Sequence, residues 1–431
     1  MERVTESVED GVGADFKDAY SFAIPVKGVI QVGRHERECQ LQIKDLRASS
    51  VHFRLWVVRF NVDSPPFTYL ADTSKNGTFV NKLKVGRGNV VLLNDGDEIE
   101  VIHGLYCRFR NLIGHSQCFE PNMRFIRQRH SDAEWMVTNK KLGEGSFGAV
   151  HYGLDTLRNK HVAVKIIKAV GSKTDRLKNE AQILMKIHHP NIVQVYETHH
   201  IDETLYIFEE LFCGGDLFSY LLKGERLSSI PEIEALFIVY QILQALKFLH
   251  NNLNVIHRDI KLDNVLLEAP IPGTRIAICD FGIAKSLKAP NARANTIVGT
   301  IEYSAPEVFA ENSDCNKGCL LNNKSIKGYN SKCDLWSLGI MTSIMLSGVS
   351  PFLDENDKFN TLRNAKLGNI DFNLSHWNGV SLQGKSFVDQ LLKVSPFERN
   401  DVSACLNHPW IVRRKSLLQK KYQSRVYEYL K

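Results

Sequence analysis

The sequence predicts a multidomain protein. An all-β sandwich over residues 23–112 is followed by a polar linker over 113–134 and a larger α+β domain over 135–412. Two observations predict it. Short runs of alternating apolar and polar residues, each closed by a turn signal, fill the first quarter of the chain. From Leu142 to Glu307, short motifs then follow one another at spacings that suit strands, helices and the loops between them. A chain of 431 residues is too long for one small domain.

The sandwich rests on runs such as Gly28-Val29-Ile30-Gln31-Val32, Cys39-Gln40-Leu41-Gln42-Ile43, His52-Phe53-Arg54-Leu55-Trp56-Val57-Val58 and Tyr106-Cys107-Arg108-Phe109. Asp63-Ser64-Pro65-Pro66, Lys75-Asn76-Gly77 and Asn94-Asp95-Gly96-Asp97 punctuate them. Many short strands with turns between them suit two packed sheets. Residues 1–22 read as an N-terminal tail. The linker is polar, contains Pro121 and loses the alternation. Residues 413–431 read as a basic C-terminal tail.

Composition narrows the functional classes. Hydrophobic residues make up 43% of the chain, enough for sizeable cores. No uninterrupted apolar run reaches the roughly 18 residues of a membrane span. The nearest, Ala235 to Leu249, is broken by Gln241, Gln244 and Lys247, and reads as a buried amphipathic helix. No membrane partner is therefore expected. Met1-Glu2-Arg3-Val4-Thr5-Glu6 opens without an apolar core, so a secretory leader is not expected. Nine scattered cysteines suit free thiols in a reducing compartment, and Cys315, Cys319 and Cys333 lack zinc-site spacing. A net charge of +6 does not indicate direct nucleic-acid binding. Arg413, Arg414, Lys415, Lys420, Lys421 and Arg425 read as a solvated helix face, with an import or docking patch as the alternative.

Three patches of the sandwich occur in a telling order: Gly33-Arg34, Ser49-Ser50-Val51-His52 and Asn76-Gly77-Thr78. Together they resemble the forkhead-associated (FHA) domain, whose loops at one end of the sandwich bind phosphothreonine peptides. The resemblance implies a phosphothreonine site made by Arg34, Ser49 and Asn76. A guanidinium suits a phosphate dianion because it is planar and bidentate. The Ser49 hydroxyl would reach another phosphate oxygen, Asn76 would bond the peptide backbone, and His52 would buttress the loop. Ser50 stands where the family usually has a second basic or polar group, and Lys75 is a neighbouring cation.

The motifs of the larger domain are Leu142-Gly143-Glu144-Gly145-Ser146-Phe147-Gly148-Ala149-Val150, Val162-Ala163-Val164-Lys165, His257-Arg258-Asp259-Ile260-Lys261-Leu262-Asp263-Asn264, Asp280-Phe281-Gly282 and Ala305-Pro306-Glu307. In that order they resemble a bilobal α+β protein kinase using ATP and magnesium. Lysine at 261 resembles the serine/threonine rather than the tyrosine kinases.

The resemblance implies roles position by position. Leu142, Gly143, Gly145, Gly148, Val150 and Ala163 would enclose the nucleotide, the glycines letting backbone approach phosphate. Lys165 would bind the α- and β-phosphates and pair with Glu180. Glu210 and Phe212 would bind adenine through backbone groups, and Asp216 would reach the ribose. Asp259 would be the catalytic base, Lys261 would stabilise the transferred group, and Asn264 and Asp280 would hold magnesium. Glu209 falls at the usually apolar gatekeeper position, where a carboxylate must be solvated or paired. Asp216 and Asp263 would recognise arginine three residues before the target hydroxyl, so basic serine/threonine protein substrates are expected. Arg258 would clamp phosphorylated Thr296, Thr300 would contact Asp259, and Arg399 would pair with Glu307.

An FHA domain ahead of one serine/threonine kinase is the layout of the checkpoint kinases that respond to DNA damage. The short tail and polar gatekeeper are most similar to the meiosis-specific FHA kinases of yeasts. This resemblance implies a nuclear protein in DNA-damage or meiotic recombination signalling. A phosphothreonine-bearing partner would recruit it, with dimers or clusters favouring phosphorylation of Thr296 by a neighbouring copy. One rival reading is a phosphothreonine-dependent scaffold with a non-catalytic kinase domain, which the presence of Lys165, Asp259, Asn264 and Asp280 opposes. Another is a metabolic or cytoskeletal kinase with a decayed FHA module.

Overall fold

The computed structural model describes residues 3–7, 21–25, 28–60, 66–111, 124–126, 133–145, 148–158, 160–168, 185–280, 301–310, 331–354 and 356–427. The N-terminal region is a β-sandwich. One sheet contains β1 (Arg3–Ser7), β2 (Ser21–Pro25), β7 (Phe79–Val80), β8 (Leu83–Lys84), β10 (Glu98–Ile102) and β11 (Leu105–Arg110), in the order β2-β1-β11-β10-β7-β8. The other is β4-β3-β5-β6-β9, made from β3 (Val29–Gly33), β4 (Leu41–Gln42), β5 (Phe53–Val58), β6 (Phe67–Asp72) and β9 (Val90–Leu93). β1 lies within the segment expected as a tail and pairs with both β2 and β11. Backbone pairing on both sides needs only extended chain, so periodicity does not announce this strand.

Alternation fills the space between the sheets. Phe53, Leu55 and Val57 of β5 point inward with Ile30, Val32, Leu70, Ile99 and Phe109. The other face of β5 and β6 is not polar. Trp56, Val58, Phe67 and Tyr69 are buried in a second cluster, against residues of the following domain. The run Leu55-Trp56-Val57-Val58 is apolar on both faces, as expected of a strand covered on both sides.

The second region has two lobes. Its upper lobe is an antiparallel sheet in the order β12-β13-β14-β15-β17-β16, built from β12 (Arg124–Ile126), β13 (Trp135–Gly145), β14 (Gly148–Asp155), β15 (Lys160–Lys168), β16 (Val195–Ile201) and β17 (Thr204–Glu210). The β13–β14 hairpin pairs Gly143 with Val150 and Gly145 with Gly148. A side chain at Gly148 would meet the Ile166 carbonyl at 2.0 Å, and its φ of +152° favours glycine.

The lower lobe is helical. Helices α1 (Leu217–Leu221), α2 (Glu232–Lys247) and α3 (Lys332–Ser347) share its core. The expected amphipathic helix is α2, but it is buried on nearly every side rather than along one stripe. Together with the helical turn that continues it to Asn252, its apolar length would pass for a membrane span if the surrounding lobe were ignored. Helix α4 (Lys415–Tyr422) lies in the basic tail and buries Leu418 and Tyr422 on the lower lobe. The Tyr422 hydroxyl donates to Asn191 Oδ1 at 2.6 Å. The tail therefore has an apolar face against the domain as well as a basic one.

Candidate functional site

At one end of the sandwich the three loops singled out in the sequence are tied together. The Arg34 N–H donates to the Ser49 carbonyl at 2.9 Å. The Lys75 N–H donates to Ser49 Oγ at 3.0 Å, which leaves the serine its own proton to donate. Asn76 Nδ2 donates to the Arg47 carbonyl at 3.0 Å. Arg34, Lys75 and Asn76 are exposed, whereas His52 is fully buried. His52 Nδ1 accepts the Ser49 N–H at 3.1 Å, and its Nε2 lies 3.4 Å from the Gly77 carbonyl oxygen. It thus fastens two of the loops from beneath, as the resemblance implied. Buried Asp72 holds the same turn by accepting from Ser74 N, Thr78 N and Thr78 Oγ1. A side chain at Gly33 would meet the Ser50 carbonyl at 2.4 Å, so the loops close only over glycine.

The second site lies between the lobes. The catalytic-loop motif follows α2 and is held from below by α3. The buried Asp334 carboxylate accepts the backbone N–H groups of His257 and Arg258 at 2.9 and 2.8 Å, with His250 Nε2 also at 2.8 Å. Burial pushes the Asp334 pKa up, but these donors outweigh it and hold the carboxyl below its usual range. His257 Nδ1 accepts the Asp259 N–H at 3.3 Å, which directs its Nε2 proton to the Cys279 carbonyl at 2.9 Å. That pair joins the catalytic loop to the segment that carries Asp280.

Asn264 Nδ2 donates to the Asp259 backbone carbonyl and to Asp259 Oδ2, at 2.7 and 3.1 Å. Lys261 Nζ stands 3.4 Å from the same carboxylate oxygen. From the upper lobe, Lys165 forms an ion pair with Asp280. Burial opposes both charges; each partner more than offsets it, leaving Asp280 below and Lys165 above their ordinary ranges. Asp259, Lys261, Asn264, Asp280 and Lys165 thus come from three segments, and the Lys261 charge, which Asp280 also feels, couples the loop group to the Lys165–Asp280 pair.

Glu209 belongs to this cluster as well. It pairs across the strands with Ala163, two residues from Lys165 on the same face of β15. Burial pushes its carboxyl up to about 7, while the Lys165 charge opposes the shift. The polar gatekeeper is therefore partnered electrostatically rather than bare.

The connection between the lobes is pinned by Arg275, which pairs with Glu210 and with Glu268 and donates to the Pro190 carbonyl at 2.9 Å. Asp216 caps α1 by accepting Ser219 N–H at 2.7 Å. Burial, with Asp263 adding to it, pushes Asp216 up to about 6 despite those bonds. Glu302, which the motif reading passed over, is raised by burial and also feels Asp263. Arg399 makes a two-point ion pair with Glu307, at 2.7 and 3.0 Å. Glu180, Thr296, Thr300, Phe281 and Gly282 lie outside the described residues.

Sequence reasoning also missed the contact between the domains. The Trp56 indole N–H donates to the Cys213 carbonyl at 2.8 Å, in the segment joining the lobes. Lys140 of β13 bonds Asn94 of the sandwich. The unbroken apolar run in β5 was the available signal.

Comparison with known proteins agrees with this geometry. The protein kinase domain family matches residues 136–411, and the FHA domain family matches residues 30–102. The meiosis-specific serine/threonine-protein kinase MEK1 of Saccharomyces cerevisiae is 41% identical over 427 residues, covering 92% of this chain and 83% of that protein. Its namesake in Schizosaccharomyces pombe is 36% identical, covering 93% and 85%. A crystal structure of Rad53 residues 1–466 in complex with AMP-PNP is similar with a TM-score of 0.54 and 27% identity, covering 95% of this chain and all of that one.

Proposed function

We propose, for a chain that belongs to the protein kinase family and joins its kinase domain to an FHA domain, that it phosphorylates Arg-x-x-Ser/Thr sites on proteins reached through a phosphothreonine partner. The chain is an ATP-dependent serine/threonine kinase, and its FHA domain implies binding of phosphothreonine peptides. The observation that carries the reading is the bonded group of Asp259, Lys261 and Asn264 together with the Lys165–Asp280 ion pair, the two coupled through the Lys261 charge.

Each residue then has a task. Asp259 accepts a hydrogen bond from the substrate hydroxyl and aims it for in-line attack. Asn264 fixes that carboxylate through its amide nitrogen. Lys261, beside Asp259, stabilises charge on the group in transit. Lys165 holds the nucleotide phosphates. Leu142, Val150 and Ala163 wall the adenine site, Gly143, Gly145 and Gly148 admit the phosphates, and Glu210 and Phe212 offer backbone groups.

The donor set also suits magnesium. Asn264 uses Nδ2 on Asp259, so Oδ1 remains as a neutral oxygen ligand. Asp280 is held ionised by Lys165. Hard oxygen donors of this kind are what the ion prefers. When bound it neutralises phosphate charge.

The arginine preference rests on Asp216 and Asp263, whose charges are close enough to feel one another. Phosphorylated Thr296, clamped by Arg258, would activate the kinase, with recruitment favouring its modification by a neighbouring copy. The meiosis-specific names of both yeast relatives support a role in meiosis; the fuller reading is a nuclear role in DNA-damage or meiotic recombination checkpoint signalling.

A positional peptide library tests the substrate. Enrichment of arginine three residues before the acceptor supports the reading, and indifference to that position contradicts it. Thr296→Ala tests activation: strongly lowered activity in a folded protein is expected, and full activity removes Thr296 from the account.

A further inference from the structure

The FHA face that meets the kinase is far from the phosphothreonine loops. Thr68 pairs with Leu93 and Ala71 with Val90, so the Asn94 turn lies at the opposite end of these strands from Ser74 to Thr78. The same sheet presents Trp56 of β5 and Tyr69 of β6, which pair with each other across the sheet. Trp56 is 1% exposed and Tyr69 is fully buried. A sandwich does not ordinarily bury an indole on its outer face; a neighbouring domain covers this one.

What covers it is the wall of the nucleotide cleft. Trp56 and Tyr69 share a buried cluster with Leu142, Tyr152, Ala163 and Cys213. Leu142 and Ala163 are only 3% and 9% exposed. The patch also crosses the joint between the lobes. Leu142, Tyr152 and Ala163 belong to the upper lobe, Cys213 to the connection, and Ala269, which packs on the cluster, to the lower lobe. Val58 lies against Gly215, beside the proposed ribose residue Asp216. The Trp56–Cys213 bond fixes orientation, and the Lys140–Asn94 bond adds a second tie to the upper lobe.

We propose that the FHA domain is a splint on the kinase: docked through Trp56 and Tyr69, it fixes the angle between the lobes and narrows the adenine entrance, lowering nucleotide affinity. Trp56 is thereby a positioning residue that acts through the Cys213 carbonyl and the wall of the cleft. Closing the lobes on nucleotide is a hinge motion, and a rigid body bound to both lobes opposes it. Only the undocked fraction then binds at full strength. The phosphothreonine loops stay exposed in the docked state, so partner binding does not require release.

The inference rests on the kinase reading above, and its test separates the two. The full chain carrying Val58→Glu, which places a carboxylate in a dry interface, is titrated with a fluorescent ATP analogue. Retained binding of a phosphothreonine peptide shows that the FHA domain is folded. A docked fraction of about four-fifths predicts about fivefold tighter nucleotide binding in the variant. Unchanged or weaker binding overturns the splint. Should Val58→Glu lose peptide binding through misfolding, Lys140→Ala cuts the half-buried tie to Asn94 instead. Tighter binding is again expected, and unchanged affinity overturns the proposal. Phosphate transfer by the wild type is scored separately. Its absence would count against the kinase reading, while the analogue titration would still decide the splint.

Discussion

Asp334 Oδ1 accepts the backbone N–H of Arg258 at 2.8 Å, at a residue whose φ is +68°. A left-handed conformation at a non-glycine position stores strain that surrounding structure must hold. Here a buried carboxylate on α3 holds it, and so sets the direction of Asp259 one residue later. Asp334→Ala strands the N–H of buried His257 and that of Arg258, and should cost about 3 kcal/mol of stability. It should also lower kcat by at least about tenfold through loss of positioning. Thermal melts and single-temperature kinetics on the same preparation read both effects. Normal kcat would show that the catalytic loop holds itself.

Arg34 and His52 affect phosphopeptide binding by different routes. Arg34→Ala removes a charge-assisted contact worth about 1.5–3 kcal/mol, so affinity should fall roughly 10- to 150-fold. His52→Ala touches no ligand, yet frees the Ser49 and Gly77 loops from their shared buttress. It should weaken binding and also lower the melting temperature of the FHA domain, whereas Arg34→Ala should leave melting unchanged. Equal melting temperatures for both variants would remove His52 from its structural role.

Glu209 predicts a pH dependence of stability. Its carboxyl is raised from 4.5 to about 7, so across that window the folded chain binds more proton than the unfolded chain. This contribution to stability is present at the acidic end and is lost as pH rises through about 7. Asp216 and Glu268 are raised too, to about 6 and about 7, so the comparison must be made by difference. Between pH 5 and 8 the wild type should lose more stability than Glu209→Gln. Parallel profiles would mean that Glu209 stays ionised beside Lys165 throughout.

Substrate choice offers a cleaner test of charge. Asp263 is exposed near half-buried Asp216. Asp263→Ala should raise KM for an Arg-x-x-Thr peptide roughly tenfold, the value of one arginine–carboxylate contact. It should leave an Ala-x-x-Thr peptide unchanged. A similar rise for both peptides would make the effect general rather than a reading of arginine.

Much of this was legible because the relevant signals are local. The three FHA loops and the kinase motifs each carry their chemistry within a few residues, and the structure ties His52 to the loops and Arg399 to Glu307 as expected. Other features depend on partners distant in sequence. Glu209 acquires its partner only when β15 lies beside β17. The Arg3–Ser7 strand is decided by backbone pairing with β2 and β11 rather than by its own pattern. Trp56 finds Cys213 across 157 residues of chain, and its only local sign was a strand too apolar on its outer face.

The central claim is that Asp259, oriented by Asn264 and Lys261, serves phosphoryl transfer to a hydroxyl. The most direct measurement is magnesium-dependent transfer from ATP to an Arg-x-x-Thr peptide, comparing the intact protein with Asp259→Asn. The substitution is nearly isosteric, so the fold and ATP binding should persist while transfer falls by at least about a hundredfold. Transfer at the wild-type rate by the variant, or none by either protein with Thr296 phosphorylated, would contradict the account.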